Sequence, residues 1–309
     1  MFLADCHTHS SCSFDAEFPM VAMAKTAYEY GLTSLTLTDH CDLLGLEGET
    51  VLTYDWEPVL KQRKEMLDAF GARIDLPLGI EIGMGFLFPE AARKILSQPG
   101  LDFVIGSVHN QSQEAGGKDF YFLDYSTMDR CRAALDNYFT SMIALAAQPE
   151  FYDVVGHIIY PFRYMKGDYA VPPKVEEYRD EVFEICRLAA QNGKGIEINT
   201  WKGQTLAEWI PVLKLFKEAG GEYITVGSDA HAPAPIGKGI KESKAIKDAY
   251  IPGLLAVAGV ALVGLWMLAQ GQGFGLALVA NALIQGVLCA AVAVWGNQMI
   301  KQAGKAKEE

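Results

Sequence analysis

Up to about residue 240, short β-branched and apolar runs alternate with longer segments in which apolar positions recur at helical spacing. That rhythm predicts repeated β-α units around a mostly parallel sheet, an α/β fold. Seven strands are expected: FLADCHTH from Phe2, LTSLTLTDH from Leu32, LPLGIEIG from Leu76, DFVIGSVH from Asp102, YDVVGHII from Tyr152, KGIEINT from Lys194 and EYITVGSDAH from Glu222. Helices are expected near 19–30, 55–70, 127–147, 174–192 and 205–219, the first opened by Pro19 and stopped by Gly31.

The pattern changes after Asp248. Ala249 to Ile300 is a run of 52 residues without Asp, Glu, Lys, Arg or His. On either side of a QGQG turn, residues 251–269 and 273–296 are each long enough, at about 1.5 Å per residue, to cross a hydrocarbon core of about 30 Å. Lysines at 238, 241, 244 and 247 precede the pair, and Lys301, Lys305 and Lys307 follow it, so the positive-inside rule keeps both ends in the cytoplasm. The expected organisation is an α/β domain at 1–248, a two-helix hydrophobic hairpin at 249–300 that associates with the membrane through 251–296, and a charged tail at 301–309. A buried helix pair within a soluble protein is the other reading of that hairpin.

Composition sharpens the division. The chain of 309 residues is 50% hydrophobic with a net charge of −12, which excludes a disordered tail or a disulfide-stapled miniprotein. Residues 1–240 carry 34 acidic and 20 basic groups. Such a domain lacks the basic surface that nucleic acid needs, so no nucleic-acid partner is expected. A small anionic substrate is admissible only where bound cations supply the local charge. The start, MFLADCHTHS, carries no basic segment followed by a long apolar one, and six cysteines without a CxxC pair read as reduced thiols. Both features lead us to expect the α/β domain in the cytoplasm, held at the inner membrane face if the hairpin inserts. Asn110-Gln111-Ser112 matches a glycosylation sequon by chance.

All six histidines, His7, His9, His40, His109, His157 and His231, fall at or just beyond the C-terminal end of an expected strand. In parallel α/β folds that edge is where sites are assembled. Asp5, Asp15, Asp39, Glu81 and Asp229 join them there. Neutral imidazole and carboxylate suit zinc, with manganese and iron as alternatives, and this many donors can hold more than one ion. Glu81 stands in the otherwise apolar LGIEIG, where its charge needs either cations or an arginine partner. Asp39, directly before His40, is a candidate catalytic residue acting by orienting a ligand. Cys6, Cys12 and Cys41 lie near the same rim, but the nitrogen and oxygen donors already fill the expected sites.

HTH at 7–9, TDH at 38–40, GIEIG, SVH at 107–109, GH at 156–157 and GSDAH at 227–231 together resemble the polymerase-and-histidinol-phosphatase (PHP) superfamily of metal-dependent phosphoesterases. The spans DVVGHIIYPFRY, EINT and TVGSDAHAPAPIGKG are most similar to its histidinol-phosphatase branch. The resemblance covers about residues 1–240. It implies a distorted (β/α)7 barrel with three divalent metal ions at the strand ends. One ion would take His7, His9, Glu81 and Asp229; a second, Glu81, His109 and His157; the third, His40, His231 and Asp15.

The implied reaction is hydrolysis of a small phosphomonoester, foremost histidinol phosphate to histidinol and phosphate, by water that adjacent dications acidify. Arg163, in YPFRY, is the candidate phosphate clamp because its guanidinium offers a bidentate fork. Lys202, in EINTWKG, is a second substrate-binding candidate, and Trp201 departs from the small residues usual after EINT. Phosphotyrosine and nucleotides are alternative substrates. A membrane-anchored scaffold is the alternative of another class, because relatives usually continue past the DAH segment with a soluble helix and this chain turns hydrophobic soon after Glu242.

Overall fold

The computed structural model describes residues 2–165, 167, 172–243 and 279. The chain divides after Ser243 into two units, and the first, Met1–Ser243, holds nearly all of these residues. Among them no helix is long and apolar enough to cross a membrane. The hairpin and charged tail expected from the sequence lie outside the described residues.

The elements follow the expected alternation: β1 (Ala4–Thr8), α1 (Met20–Tyr30), β2 (Ser34–Leu37), β3 (His40–Asp42), α2 (Trp56–Phe70), β4 (Gly79–Gly83), α3 (Pro89–Leu96), β5 (Phe103–Ser107), α4 (Met128–Ala146), β6 (Val154–Val155), α5 (Arg179–Gln191), β7 (Gly195–Asn199), α6 (Trp209–Glu218) and β8 (Ile224–Gly227). All ladder pairings are parallel. β1 pairs with β2, and β3 through β8 pair in sequence order. Bridges join these sheets at both edges, with Ser34 also meeting Asp75. Leu37 meets Leu78 before β4, and Thr8 meets Ala230 beyond β8, so the last strand returns to the first.

Helix ends follow local chemistry. Gly31, at φ 86°, closes α1 with its N–H on the Ala27 and Tyr28 carbonyls, a conformation that glycine adopts without steric cost. Asp55 accepts from the Glu57 N–H at the start of α2, and Thr127 accepts from the Arg130 N–H at the start of α4. Met20, Met23, Ala24 and Ala27 recur on one face of α1 and pack into a core with Leu35, Leu37, Val59, Met66, Leu76 and Leu78.

Three departures have physical causes. The strand expected from Leu32 is split at Thr38-Asp39, where Thr38 N–H bonds back to Thr8 and the Asp39 carbonyl accepts from Glu81 N–H. Its halves thereby serve two neighbours. The strand expected from Tyr152 has only two ladder residues, because the chain turns into a short 3-10 segment at Tyr160–Tyr164 that contains Pro161. Helix α3, with eight residues opened by Pro89, is too short for a periodic signal.

Gly227 permits a close approach of backbone to His7 in this ring. A Cβ there would overlap the His7 Cβ and the Glu197 carboxylate. Gly227→Ala is expected to cost about 1–3 kcal/mol of stability by overpacking, measured as a lowered denaturation midpoint.

Candidate metal centre

Strand alternation sends Glu81 of β4 to the face opposite Ile80 and Ile82, and β7 places Glu197 in the same way between Ile196 and Ile198. Glu81 is fully buried and central to the site. Its Oε2 lies 3.2 Å from His7 Nε2, 3.6 Å from His9 Nε2 and 3.0 Å from His40 Nδ1. Its Oε1 lies 2.8 Å from His157 Nε2 and 3.2 Å from His109 Nε2, and accepts from Ser107 Oγ at 2.6 Å. Asp229 Oδ1 faces His7, His9 and His231 at 3.8, 3.5 and 3.7 Å. Asp15, half exposed, places Oδ2 3.0 Å from His231 Nε2 and 3.7 Å from His40 Nε2.

The nine residues expected to bind metal therefore converge on one place. Among the described residues, four trios bring their ligand atoms within 4.8 Å of one another: His7, His9 and Asp229; Glu81, His109 and His157; His9, His40 and His231; and His40, Asp42 and His109. The first two fall within the expected groupings. The third joins His9 to His40 and His231, and the fourth adds Asp42, which strand reasoning overlooked.

Hydrogen bonding shows why cations suit this arrangement. His7 Nδ1 is 2.6 Å from Glu197 Oε1, and His109 Nδ1 is 2.7 Å from Asp42 Oδ1. A carboxylate accepts only, so each Nδ1 carries a proton and the Nε2 lone pairs turn inward when the rings are neutral. There the Nε2 atoms of His7 and His9 stand 3.1 Å apart, as do those of His109 and His157. Glu81 Oε2 and His40 Nδ1 are buried without a hydrogen-bond partner among the described residues. Lone pairs facing lone pairs, beside a buried carboxylate, are reconciled by divalent ions.

The electrostatics of the site show which protons a metal would have to displace. Burial opposes the charge on Glu81, but His7, His109 and His40 hold its carboxyl well below the usual range. Burial likewise opposes a proton on His7 and on His109; the nearby carboxylates win and raise both well above the usual imidazole value. Burial also disfavours the charged form of His40, yet Glu81 and Asp15 raise it to about 10. Burial lowers His9 and His157. Without ions, His7, His40 and His109 thus retain protons that a metal must displace. Zinc affinity is expected to keep rising with pH up to about 10, where His40 loses its proton, with protons released on binding, as calorimetry in buffers of different ionisation enthalpy would record.

A cleft of about 450 Å³ opens over these residues and includes Arg163 and Lys202 in its wall. Arg163 is buried, donates from NH1 to Asp229 Oδ2 at 2.9 Å, and keeps Nε and NH2 without a hydrogen-bond partner among the described residues. Lys202 is half-buried at the rim. Asp39 does not line the cleft. Its Oδ1 accepts from Ser10 N at 2.6 Å and Ser13 Oγ at 2.7 Å, and its Oδ2 accepts from Ser10 Oγ at 2.8 Å. Ser13 Oγ in turn accepts from His40 N and lies 3.2 Å from His9 Nδ1. Asp39 is therefore placed as a positioning residue and not among groups that meet a substrate. Asp5, buried below the centre, accepts from Ser228 N and Gly237 N.

Glu197 is the main omission of sequence reasoning. Besides holding His7, its Oε2 accepts from His157 N at 2.9 Å. The available signal was the one that singled out Glu81, a carboxylate in an apolar strand, since GIEIN at 195–199 repeats the pattern of GIEIG. Glu197→Gln, with a weaker acceptor for His7 Nδ1–H, is expected to lower zinc affinity by about 10- to 100-fold in a chelator competition.

Residues 5–201 match the PHP domain family, and the chain belongs to that family. Residues 234–306 match the phage holin family Hol44, in holin superfamily V. Within the first family, the chain is 29% identical over 243 residues to a probable histidinol-phosphatase of Clostridium acetobutylicum, which covers 77% of this chain and 90% of that protein. It is 28% identical over 235 residues to the histidinol-phosphatase of Lactococcus lactis subsp. lactis, covering 74% of this chain and 83% of the relative. The crystal structure of the L. lactis histidinol phosphate phosphatase, complexed with zinc, L-histidinol and phosphate, aligns with a TM-score of 0.68 at 27% identity, over 79% of this chain and 93% of that one. A Listeria monocytogenes structure at TM-score 0.60 and 16% identity, covering 77% of this chain and 99% of its own, shares the fold.

Proposed function

We propose that the first unit is a distorted (β/α)7 barrel, with β2 and β3 the two halves of one of its strands, that hydrolyses histidinol phosphate to histidinol and inorganic phosphate. The observation that carries this reading is the placement of Arg163, with two buried donors, in the same cleft as the imidazoles and carboxylates around Glu81. The zinc, histidinol and phosphate held by the L. lactis relative support the substrate and the metal.

Three divalent ions are proposed, zinc first, with manganese or iron as alternatives. His7, His9, Glu81 and Asp229 would hold one; Glu81, His109 and His157 another; His40, His231 and Asp15 the third. Divalent ions in these places supply Lewis acidity that makes water nucleophilic near neutral pH and offsets phosphoryl charge. The chain's own groups do the rest. Glu197 and Asp42 fix the tautomers of His7 and His109, and Asp39 holds the Ser10–Ser13 turn against His9 and His40. Arg163 presents its remaining donors to the phosphoryl oxygens. Asp15, Asp42, Asp119 and Asp229 all line the cleft, so a phosphate dianion is admitted only against bound cations.

The 52 uncharged residues from Ala249 support a membrane hairpin that anchors a cytoplasmic catalytic unit, and the holin-family match at 234–306 supports treating that stretch as a separate module. Zinc-loaded full-length protein in detergent, assayed against histidinol phosphate, phosphotyrosine and nucleotides, tests the activity. Preference for histidinol phosphate is expected, and turnover confined to either alternative would reject the substrate assignment. Fractionation of cells that express the full chain beside a truncation at Asp248 tests the anchor: only the full chain should sediment with membranes.

A further inference from the structure

The residue after EINT departs from what the family resemblance leads one to expect, and its surroundings give it a task. The Arg163 guanidinium carbon lies 5.3 Å from the centre of the Tyr160 ring and 5.5 Å from that of Trp201. The cation is thus in contact with two aromatic rings, while Asp229 takes one of its amino groups. The backbone that delivers Trp201 is strained. Trp201 and Lys202 have φ of 42° and 59°, successive non-glycine residues in the left-handed region.

Such a pair persists only where its surroundings over-determine it. Here Trp201 N–H donates to Asn199 Oδ1 at 2.9 Å, and Lys202 N–H donates to the Ser228 carbonyl at 2.8 Å. The same Asn199 side chain donates from Nδ2 to Asp229 Oδ2 at 3.1 Å, the oxygen that receives Arg163 NH1. One amide therefore ties the strained turn to the carboxylate that anchors the guanidinium. Tyr160 belongs to the short 3-10 segment that also carries Arg163, so its ring is fixed by local sequence. Trp201 arrives from the other side of the cleft, after β7.

We propose that Trp201 is a positioning residue for the phosphate clamp, holding the Arg163 guanidinium against Tyr160 so that its Nε and NH2 edges face the phosphoryl group. This rests on the reading of Arg163 as the clamp. Cation–π contact with a largely desolvated guanidinium makes the indole face an energetic constraint as well as a steric one. Phosphate affinity then depends on an aromatic face at position 201, while the imidazole and carboxylate donors do not.

The test uses the zinc-loaded full chain and inorganic phosphate as the probe, with affinity measured by calorimetry and as competitive inhibition. Trp201→Leu is expected to weaken phosphate by about 5- to 30-fold with bound zinc unchanged, and Trp201→Phe to recover affinity to within about threefold of wild type. In an Arg163→Ala background, Trp201→Leu should add nothing. Equal affinity of the Leu variant and wild type would overturn the proposal, and so would a full Trp201→Leu penalty in the Arg163→Ala background. If Arg163→Ala itself leaves phosphate affinity intact, the clamp reading has failed. An effect of Arg163→Ala without one from Trp201→Leu removes the positioning role alone.

Discussion

Glu81→Ala is expected to lower phosphomonoester turnover by about 10³-fold or more and to strip divalent metal from the centre. No other carboxylate in the site faces as many imidazoles. One oxygen addresses His7, His9 and His40; the other addresses His109 and His157. Removal leaves those rings without the anion that offsets cations there, and the site loses its attraction for metal along with its geometry. Glu81→Gln isolates the charge, because its shape is nearly kept; it should lose most of the metal as well. Elemental analysis of purified protein beside steady-state kinetics and far-UV circular dichroism reads all three quantities. A folded Glu81→Ala protein with its full metal complement would refute the central placement of this residue.

Arg163→Ala is expected to behave in the opposite sense, with kcat/KM reduced by about 10²- to 10³-fold while metal content stays at the wild-type level. The guanidinium is buried, and two of its nitrogens are unused by the described residues, so its truncation removes charge-assisted donors from the place where phosphoryl oxygens are proposed to sit. Arg163→Lys should restore only part of the loss, since an ammonium lacks the planar fork. Asp229 loses a partner in either variant but keeps Asn199 Nδ2. Metal loss on a par with the Glu81 variants would show that Arg163 acts through Asp229 on the centre and not on substrate.

Much of this site was legible in the sequence because the governing signal is topological. Six histidines at five strand ends need only a parallel sheet to bring them together, and the structure places five of them around Glu81 and His231 beside His9 and His40. The residues that orient them were harder to read. Asp42 lies two positions after His40 in a strand of three residues, and its partner is His109, 67 positions away. Glu197 pairs with His7 across 190 positions, a relation that only closure of the ring produces. The split between β2 and β3 was hidden for a similar reason, since the apolar run is continuous and only the bonds from Thr38 and Asp39 to different neighbours divide it. Asp39, expected to orient a ligand because it precedes His40, spends its two oxygens on Ser10 and Ser13, and Ser13 meets His9 and His40.

Closure of the ladder through Thr8 and Ala230 also has a consequence for biosynthesis. His7 and His9 are made before Asp229 and His231, which follow more than 200 residues later. Until then a nascent chain can present only partial donor sets, and a native pocket cannot load. Metal capture should therefore mark the end of folding in this unit, and pulse-labelled chains should acquire zinc only once the eighth strand has been released.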